Sequence, residues 1–282
     1  MTRINHNIEA MVSQSSLGLA DRGLSEAITQ LSTGLRINKS ADDPANLEVS
    51  EHLRTQVRGA GVATRNAQDA SSLMQIADGA MEQVSEILQR MRELSVESSS
   101  DTFTSSDRAY MDQEFQGLKS EVDRIANQTQ YNGMLLLAGT VGSFGSVGGP
   151  SVIHIGVNNK VGIDTINVSM ASMTSGALSL ITANLTLQLN ADSALKDIDA
   201  AMNIVSQQRS YMGAMMNRLD TAQTNLNAAE TNSQAADSVI RDTDFAKMAT
   251  EMTKYQIMTQ SATAMLSQAN NLPQSVLQLF KS

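Results

Sequence analysis

Cysteine and tryptophan are absent from this chain of 282 residues, and their absence excludes several kinds of site. Without cysteine there are no disulfides, no thiolate nucleophiles and no cysteine-ligated metals. Aromatic residues make up 3% of the chain and there are only three prolines, so we expect long helices and no large aromatic core. A net charge of −9 argues against electrostatic binding to nucleic acid or to an anionic membrane.

Signals for secretion, membrane insertion and catalysis are also missing. Residues 1–8 lack a basic region followed by an apolar stretch, so no cleavable signal peptide is predicted. No apolar run reaches the roughly twenty residues of a membrane span. The histidines, His6, His52 and His154, lie far apart, and there is no phosphate-binding loop. We predict no enzymatic activity, no cofactor and no metal, and either a cytoplasmic location or export without such a signal.

The C-terminal segment has no charged residue from position 256 to position 279. Its apolar residues recur at alternating spacings of three and four, which predicts a helix with a heptad seam, a stripe of apolar positions along one face. The seam comprises Phe245, Met248, Met252, Tyr255, Ala262, Leu266 and Ala269, with Thr259 at its one polar position. A second row, made of Met258, Met265 and Leu272, widens the apolar arc beyond what one partner helix needs. The pattern by itself fits docking within the chain and assembly between chains equally well.

The N-terminal segment carries a seam of the same kind, and residues 10–20 are again free of charge. The seam changes face once, as at a stutter. Its two parts are Ile4, Ile8 and Met11, followed by Leu17, Leu24, Ile28, Leu31 and Leu35. Because the two chain ends share this unusual composition, we predict that they form an antiparallel helix pair.

Further helical patterns lie between the ends. Gly34 and residues 38–44 break the first helix, Asp43 suits an N-cap, and Pro44 suits the first position of the next helix. A cap is predicted within residues 105–107, a turn at Asn132 and Gly133, and a break over residues 233–244. The inner seams are Leu73, Ala77, Ala80, Val84, Ile87, Met91 and Leu94; Met111, Phe115, Leu118, Val122 and Ile125; and Ile198, Met202, Val205, Met212, Met216, Leu219 and Leu226.

Residues 139–189 form the only β-prone part of the chain. The segments 153–157 and 161–163 alternate, and Asn158-Asn159 between them predicts a hairpin. Residues 166–168 predict a third strand. The predicted fold is therefore mainly α: a long antiparallel helical coiled-coil rod with paired N- and C-terminal helices and a small β-hairpin insert. The predicted domains are a terminal helical domain (1–40 and 240–282), a helical rod domain (41–138 and 190–239) and the short β insert (139–189).

Motifs at both ends of the chain resemble the signatures of bacterial flagellins. The N-terminal motifs are Ile4-Asn-His-Asn-Ile8, Leu31-Ser-Thr-Gly-Leu-Arg-Ile-Asn38 and Ser40-Ala-Asp-Asp-Pro-Ala45. The C-terminal motifs are Ile240-Arg-Asp-Thr-Asp-Phe245 and Gln268-Ala-Asn-Asn-Leu-Pro-Gln274. The resemblance covers about residues 1–138 and 190–282, and it is specific because several motifs occur in order at both ends.

The resemblance implies a structural subunit that self-assembles into the bacterial flagellar filament and serves swimming motility. The subunit would be exported by the flagellar type III pathway without a cleaved signal, and the filament would lie outside the cell. The terminal helices would line the inner tube of the filament. Implied partners are other copies of the chain, an export chaperone, and the cap and hook-junction proteins. The expected assembly residues are Ile4, Ile8, Met11, Leu17, Leu24, Ile28, Leu31, Met248, Met252, Tyr255, Met258, Ala262, Met265, Leu266 and Leu272.

The resemblance also implies a site for recognition by Toll-like receptor five, at Gln89, Arg90, Leu94 and Glu114. The same residues could instead form a contact between subunits.

Two alternatives to a filament subunit remain at this point. A hook–filament junction protein shares the terminal helices, although the Leu272-Pro-Gln ending favours the filament. A cytoplasmic coiled-coil adaptor would explain the heptads but not the charge-free ends.

Overall fold

The computed structural model is mainly α-helical, as the sequence predicts. It describes residues 6–139, 144, 151–160 and 162–279, with side chains as far as residue 271. The helices are α1 (Ile8–Thr33), α2 (Pro44–Ser98), α3 (Ser105–Gln128), α4 (Gln188–Arg241) and α5 (Phe245–Leu279). The strands are β1 (Gln130–Tyr131), β2 (Met134–Leu135), β3 (Ser151–His154) and β4 (Thr165–Val168).

The helices begin and end at local signals that the sequence carries. Helix α1 ends at Gly34, whose φ of 72° lies in the left-handed region where glycine is favoured. Helix α2 begins at Pro44, and the Asp43 carboxylate accepts a hydrogen bond from the Asn46 amide at 3.1 Å. The N-cap of α3 is Thr104, one residue before the predicted segment. In a capping box, the Thr104 hydroxyl accepts a hydrogen bond from the Asp107 amide, and the Asp107 carboxylate accepts one from the Thr104 amide. The hydrogen bonds from Thr104 to this carboxylate lower the pKa of Asp107.

The predicted break over residues 233–244 is wrong in its extent, because α4 continues to Arg241. Residues 233–241 contain no glycine or proline to end the helix. The helix instead makes contacts there: the Ser50 hydroxyl donates to the Asp237 carboxylate at 2.5 Å. The actual break is confined to residues 242–244, where Asp244 accepts hydrogen bonds from the first amides of α5.

The β insert pairs differently from the prediction. Strand β3 pairs antiparallel with β4, with Ile153 opposite Ile166. The predicted strand 161–163 belongs to the connection between them, apart from Val161, which lies outside the described residues. Asp164 closes this connection, because its carbonyl accepts hydrogen bonds from the amides of Ile155 and Gly156 and its carboxylate accepts one from the amide of Lys160. The turn at Asn132 and Gly133 is confirmed: both have positive φ, and they join β1 to β2.

The chain divides into two compact units. Unit 1 comprises Met1–Thr55 and Asn232–Ser282, and it contains α1 and α5. Unit 2 comprises Gln56–Thr231 and contains a hydrophobic core built from α2, α3, α4 and the insert. The domain boundaries inferred from the sequence stay a prediction.

The core of unit 2 follows the predicted seams. Fully buried seam positions include Val84, Met91, Phe115, Val122 and Met212. Helix α2 buries a second row beside its seam, which makes its apolar face wider than predicted. That row is Met74, Met81 and Leu88. Met74, Met81, Met91 and Met212 thus serve as core packing, as their helical spacing indicates.

Candidate functional site

Helices α1 and α5 of unit 1 pack against each other in antiparallel orientation, as the matching chain ends predict. Three contacts define the alignment. The Asn7 side-chain amide donates to the Ala269 carbonyl at 2.7 Å, the Thr259 hydroxyl lies 3.3 Å from the Asp21 carboxylate, and Leu35 forms a β-bridge with Asp242. N-terminal positions of one helix therefore meet C-terminal positions of the other along their whole contact.

Small residues form the centre of this helix pair, and sequence reasoning found Ala269 of α5 but missed the two alanines of α1. Ala20 and Ala27 are each only 1% exposed, and Ala269 is also buried. Ile28, predicted for the same seam, is 48% exposed because Ala27 takes the inward position. The signal was present in the sequence, since Leu17, Ala20, Leu24, Ala27 and Leu31 alternate spacings of three and four.

The predicted assembly residues fall into two groups. The first group is partly buried in the subunit and consists of Leu17, Leu24, Leu31, Met248, Met252, Tyr255, Ala262 and Leu266. The second group is exposed and consists of Ile8, Met11, Ile28, Met258 and Met265. Ile4 and the side chain of Leu272 lie outside the described residues.

The exposed group belongs to a larger set of exposed apolar side chains on α1 and α5. Met11 is 67% exposed and Met265 is 62% exposed, and three residues that were not predicted, Val12, Leu19 and Ile257, are exposed to a similar degree. An open groove of about 340 Å³ lies between the two helices, lined in part by Ile8, Val12 and Met265. We call the eight residues Ile8, Met11, Val12, Leu19, Ile28, Ile257, Met258 and Met265 the apolar surface.

Polar contacts join the C-terminal end of α1 to the N-terminal end of α5. The Arg36 amide donates to the Arg241 carbonyl at 2.7 Å, and the Thr243 amide donates to the Gly34 carbonyl at 2.9 Å. The Arg241 guanidinium lies 2.9 Å from the Glu51 carboxylate, and this hydrogen bond lowers the pKa of Glu51. These contacts set where α5 begins relative to the end of α1.

The residues predicted for receptor recognition lie in unit 2. Gln89, Arg90 and Glu114 are exposed, and Arg90 bonds Glu114 at 2.8 Å and Glu93 at 3.1 Å. Leu94 is only 2% exposed and packs in the core beneath this surface. Gln89, Arg90 and Glu114 are therefore the members of the set that a macromolecule could touch directly.

Within the part of the chain that the structure describes, no group of three or more histidine, aspartate or glutamate side chains could hold a metal ion. None of the described helices is long and apolar enough to cross a membrane.

Models of two protein domains match the chain. The bacterial flagellin N-terminal helical region matches residues 4–141, and the bacterial flagellin C-terminal helical region matches residues 195–280. The chain belongs to the bacterial flagellins. Both regions coincide with the stretches that carry the motifs described above, and they leave only part of the β insert and its flanks unmatched.

Known flagellins resemble this one over nearly their whole length. It is 42% identical to a flagellin of Halalkalibacterium halodurans over 278 residues, covering 99% of both chains. It is 40% identical to flagellin FlaB2 of Treponema pallidum over 290 residues, again covering 99% of both. Among solved structures, Bacillus cereus flagellin superposes with a TM-score of 0.50 at 29% identity, covering 61% of this chain and 94% of that one.

This flagellin is a structural subunit of the bacterial flagellar filament and serves motility. The relatives favour neither a hook–filament junction protein nor a cytoplasmic adaptor. The family is a structural one, in keeping with the expectation of no enzymatic role.

Proposed function

We propose that the apolar surface of α1 and α5 is the contact surface through which copies of this flagellin polymerise. The observation that carries the proposal is the exposure of eight large apolar side chains on the two terminal helices. Exposed large apolar side chains that accumulate on one pair of helices indicate an interaction site, because burying apolar area is favourable by about 25 cal/mol per Å². Ile4 and Leu272, which the sequence predicts as assembly residues, belong to the same proposal.

The composition of α5 supports this proposal. No charged residue occurs from position 256 to position 279, so a neighbouring subunit can cover the helix without burying an unpaired charge. The partly buried residues, such as Leu24 and Leu266, pack within the subunit, and the exposed ones remain for neighbours. In this scheme, residues 1–40 and 240–282 form the inner-tube domain, residues 41–138 and 190–239 the helical rod domain, and residues 139–189 its β insert.

Methionine oxidation tests the proposal. Met11, Met258 and Met265 are exposed in the subunit, so hydrogen peroxide should convert them to sulfoxides rapidly in monomers. In filaments the same residues should be oxidised at least about tenfold more slowly, because a neighbour covers them. Peptide mass spectrometry at timed intervals measures the rates.

The buried methionines Met74, Met81 and Met91 are the internal controls, and they should react slowly in both states. Filaments that are depolymerised by heat and cooled should regain fast oxidation at the three exposed positions. Equal rates in monomers and filaments at Met11, Met258 and Met265 would exclude the apolar surface from the contacts between subunits.

We further propose the partners and the route that the flagellin family implies. An export chaperone would cover the apolar surface before assembly, and the cap and hook-junction proteins would contact the subunit at the two ends of the filament. Export would use the type III pathway without a cleaved signal, which places the polymer outside the cell. The absence of charge over residues 256–279 of α5 supports a covering partner, because an uncovered surface of this kind favours aggregation.

We also propose recognition by Toll-like receptor five through Gln89, Arg90 and Glu114. These side chains are exposed in unit 2, and the ion pair with Glu114 holds the Arg90 guanidinium in place. Leu94 would act indirectly, by supporting the helix from the core.

Arg90→Ala should lower the potency of monomers in a receptor reporter assay by roughly tenfold, the loss typical of one interface arginine. Arg92→Ala is the matched control, because Arg92 lies two residues away, is similarly exposed and pairs with Asp199 instead. Equal potency of Arg90→Ala and wild-type monomers would rule out recognition through this arginine.

A further inference from the structure

Gly23 of α1 lies directly against the ring of Tyr255 of α5. A Cβ atom added at Gly23 would lie 2.5 Å from both Cε1 and Cζ of that ring and 2.9 Å from Cδ1. These separations are far shorter than the 3.5–4.0 Å of ordinary carbon contacts. Only a residue without a side chain allows the ring to occupy this place.

Small residues flank this contact on α1. Ala20 and Ala27 are buried on the same face of α1, one turn before and one turn after Gly23. The ring of Tyr255 is partly buried, and the Lys254 ammonium lies 5.8 Å from its centre. A large ring on α5 thus lies against a glycine of α1 that is flanked by two buried alanines.

The heptad pattern alone leaves the register of the two helices undetermined. A slip of seven residues, about 10.5 Å along the axis, again places one seam on the other. Such a slip would bring Tyr255 opposite Gln30 or Ser16, and it would bring Met248 or Ala262 opposite Gly23. Most of the larger seam residues are leucine, isoleucine or methionine, which have similar volumes and tolerate exchange among themselves.

We infer that the fit of Tyr255 against Gly23, added to the backbone contacts that join residues 34–36 to residues 241–243, selects the register in which the two chain ends pair. In the observed register the ring meets the glycine, and in either slipped register it meets a side chain. Overpacking a tight interface by this amount is unfavourable, so the observed register is selected. The inference concerns pairing within one chain and does not depend on which surfaces join subunits.

Gly23→Ala provides a test because two effects predict opposite results. Helix propensity alone predicts stabilisation, with the folded fraction favoured roughly two- to fivefold. The contact with Tyr255 predicts that the observed register becomes roughly five- to hundredfold less favoured. Gly18→Ala is the matched control, since a Cβ at Gly18 meets no atom within 4 Å in the same helix.

Disulfide trapping reads the register directly, and the chain contains no native cysteine to interfere. The pair Asp21→Cys with Thr259→Cys reports the observed register, because these side chains approach to 3.3 Å. The pairs Asp21→Cys with Leu266→Cys and Asp21→Cys with Met252→Cys report the two slipped registers. Full-length protein is oxidised as filaments and as monomers, and peptide mass spectrometry separates links within a chain from links between chains.

In the wild-type and Gly18→Ala backgrounds, only the first pair should form a link within the chain. In the Gly23→Ala background the yield of the disulfide in the first pair should fall, and the yield in one of the two slipped pairs should rise. Replacing the ring as well, in Gly23→Ala with Tyr255→Ala, should restore the first pair even if Gly23→Ala alone fails to polymerise. The inference is overturned if Gly23→Ala links the first pair as efficiently as wild type, or if the double substitution does not restore it.

Discussion

Met265→Asp is expected to abolish filament formation while leaving the monomer as stable as the wild type. Met265 is 62% exposed in the subunit, so an aspartate there is hydrated before assembly and costs the monomer little. If a neighbouring subunit covers this position, polymerisation must bury an unpaired carboxylate, at a cost of several kcal/mol in each copy. A filament repeats that cost in every subunit, so the critical concentration should rise beyond the accessible range.

Met265→Leu is the matched control, because it keeps the volume and the apolar character of the side chain. Sedimentation after seeding with short filaments, followed by electron microscopy of the pellet, measures polymerisation. Circular dichroism of the supernatant checks that the helices of the aspartate variant are intact. Filaments of normal yield from Met265→Asp would show that this part of the apolar surface stays hydrated in the polymer.

Phe115→Ala is expected to lower the stability of unit 2 by several kcal/mol. Phe115 is fully buried, and it is the largest side chain in the core of unit 2. Removing such a ring costs about 3–5 kcal/mol, because the cavity left behind collapses only in part. For a unit of this size, the unfolding temperature should fall by about 2–4 °C for each kcal/mol.

The neighbouring Tyr110 supplies the control for this experiment. It is an aromatic residue of the same helix, α3, but 74% exposed. Tyr110→Ala should therefore change the free energy of unfolding by less than about 0.5 kcal/mol. Thermal unfolding of full-length monomers, followed by circular dichroism, compares the two variants. Similar unfolding temperatures for both would contradict the placement of Phe115 in the core.

Element boundaries that depend on neighbouring residues were predictable from the sequence. Gly34 ends α1 because its left-handed conformation suits glycine, and Asp43 with Pro44 begins α2 because a carboxylate cap and a fixed φ favour a helix start. The end of α4 was misplaced because the polar composition of residues 233–244 resembles a loop. The contact between Ser50 and Asp237 lies far away in sequence, so no local pattern reveals that the helix continues.

The β insert shows the same division between local and distant interactions. Alternating residues correctly indicated strands near residues 153 and 166. Pairing was misassigned because the Asn158–Asn159 signal predicts a tight turn, whereas Asp164 closes a longer connection through hydrogen bonds to Lys160, Ile155 and Gly156. Local propensity describes each segment separately, and the partner of a strand is chosen by contacts across the loop.

The sequence by itself determined the helical class, the heptad seams, the charge-free chain ends and the family, because each depends on residue type and spacing along one segment. Only the tertiary structure decided which seam positions face inward. It placed Ala20 and Ala27 at the centre of the terminal pair, left Ile28 and Met265 exposed, and put Leu94 beneath its surface. It also aligned Gly23 with Tyr255. The physical reason is that heptad spacing repeats every seven residues, whereas the close fit of one ring against one glycine occurs in a single register.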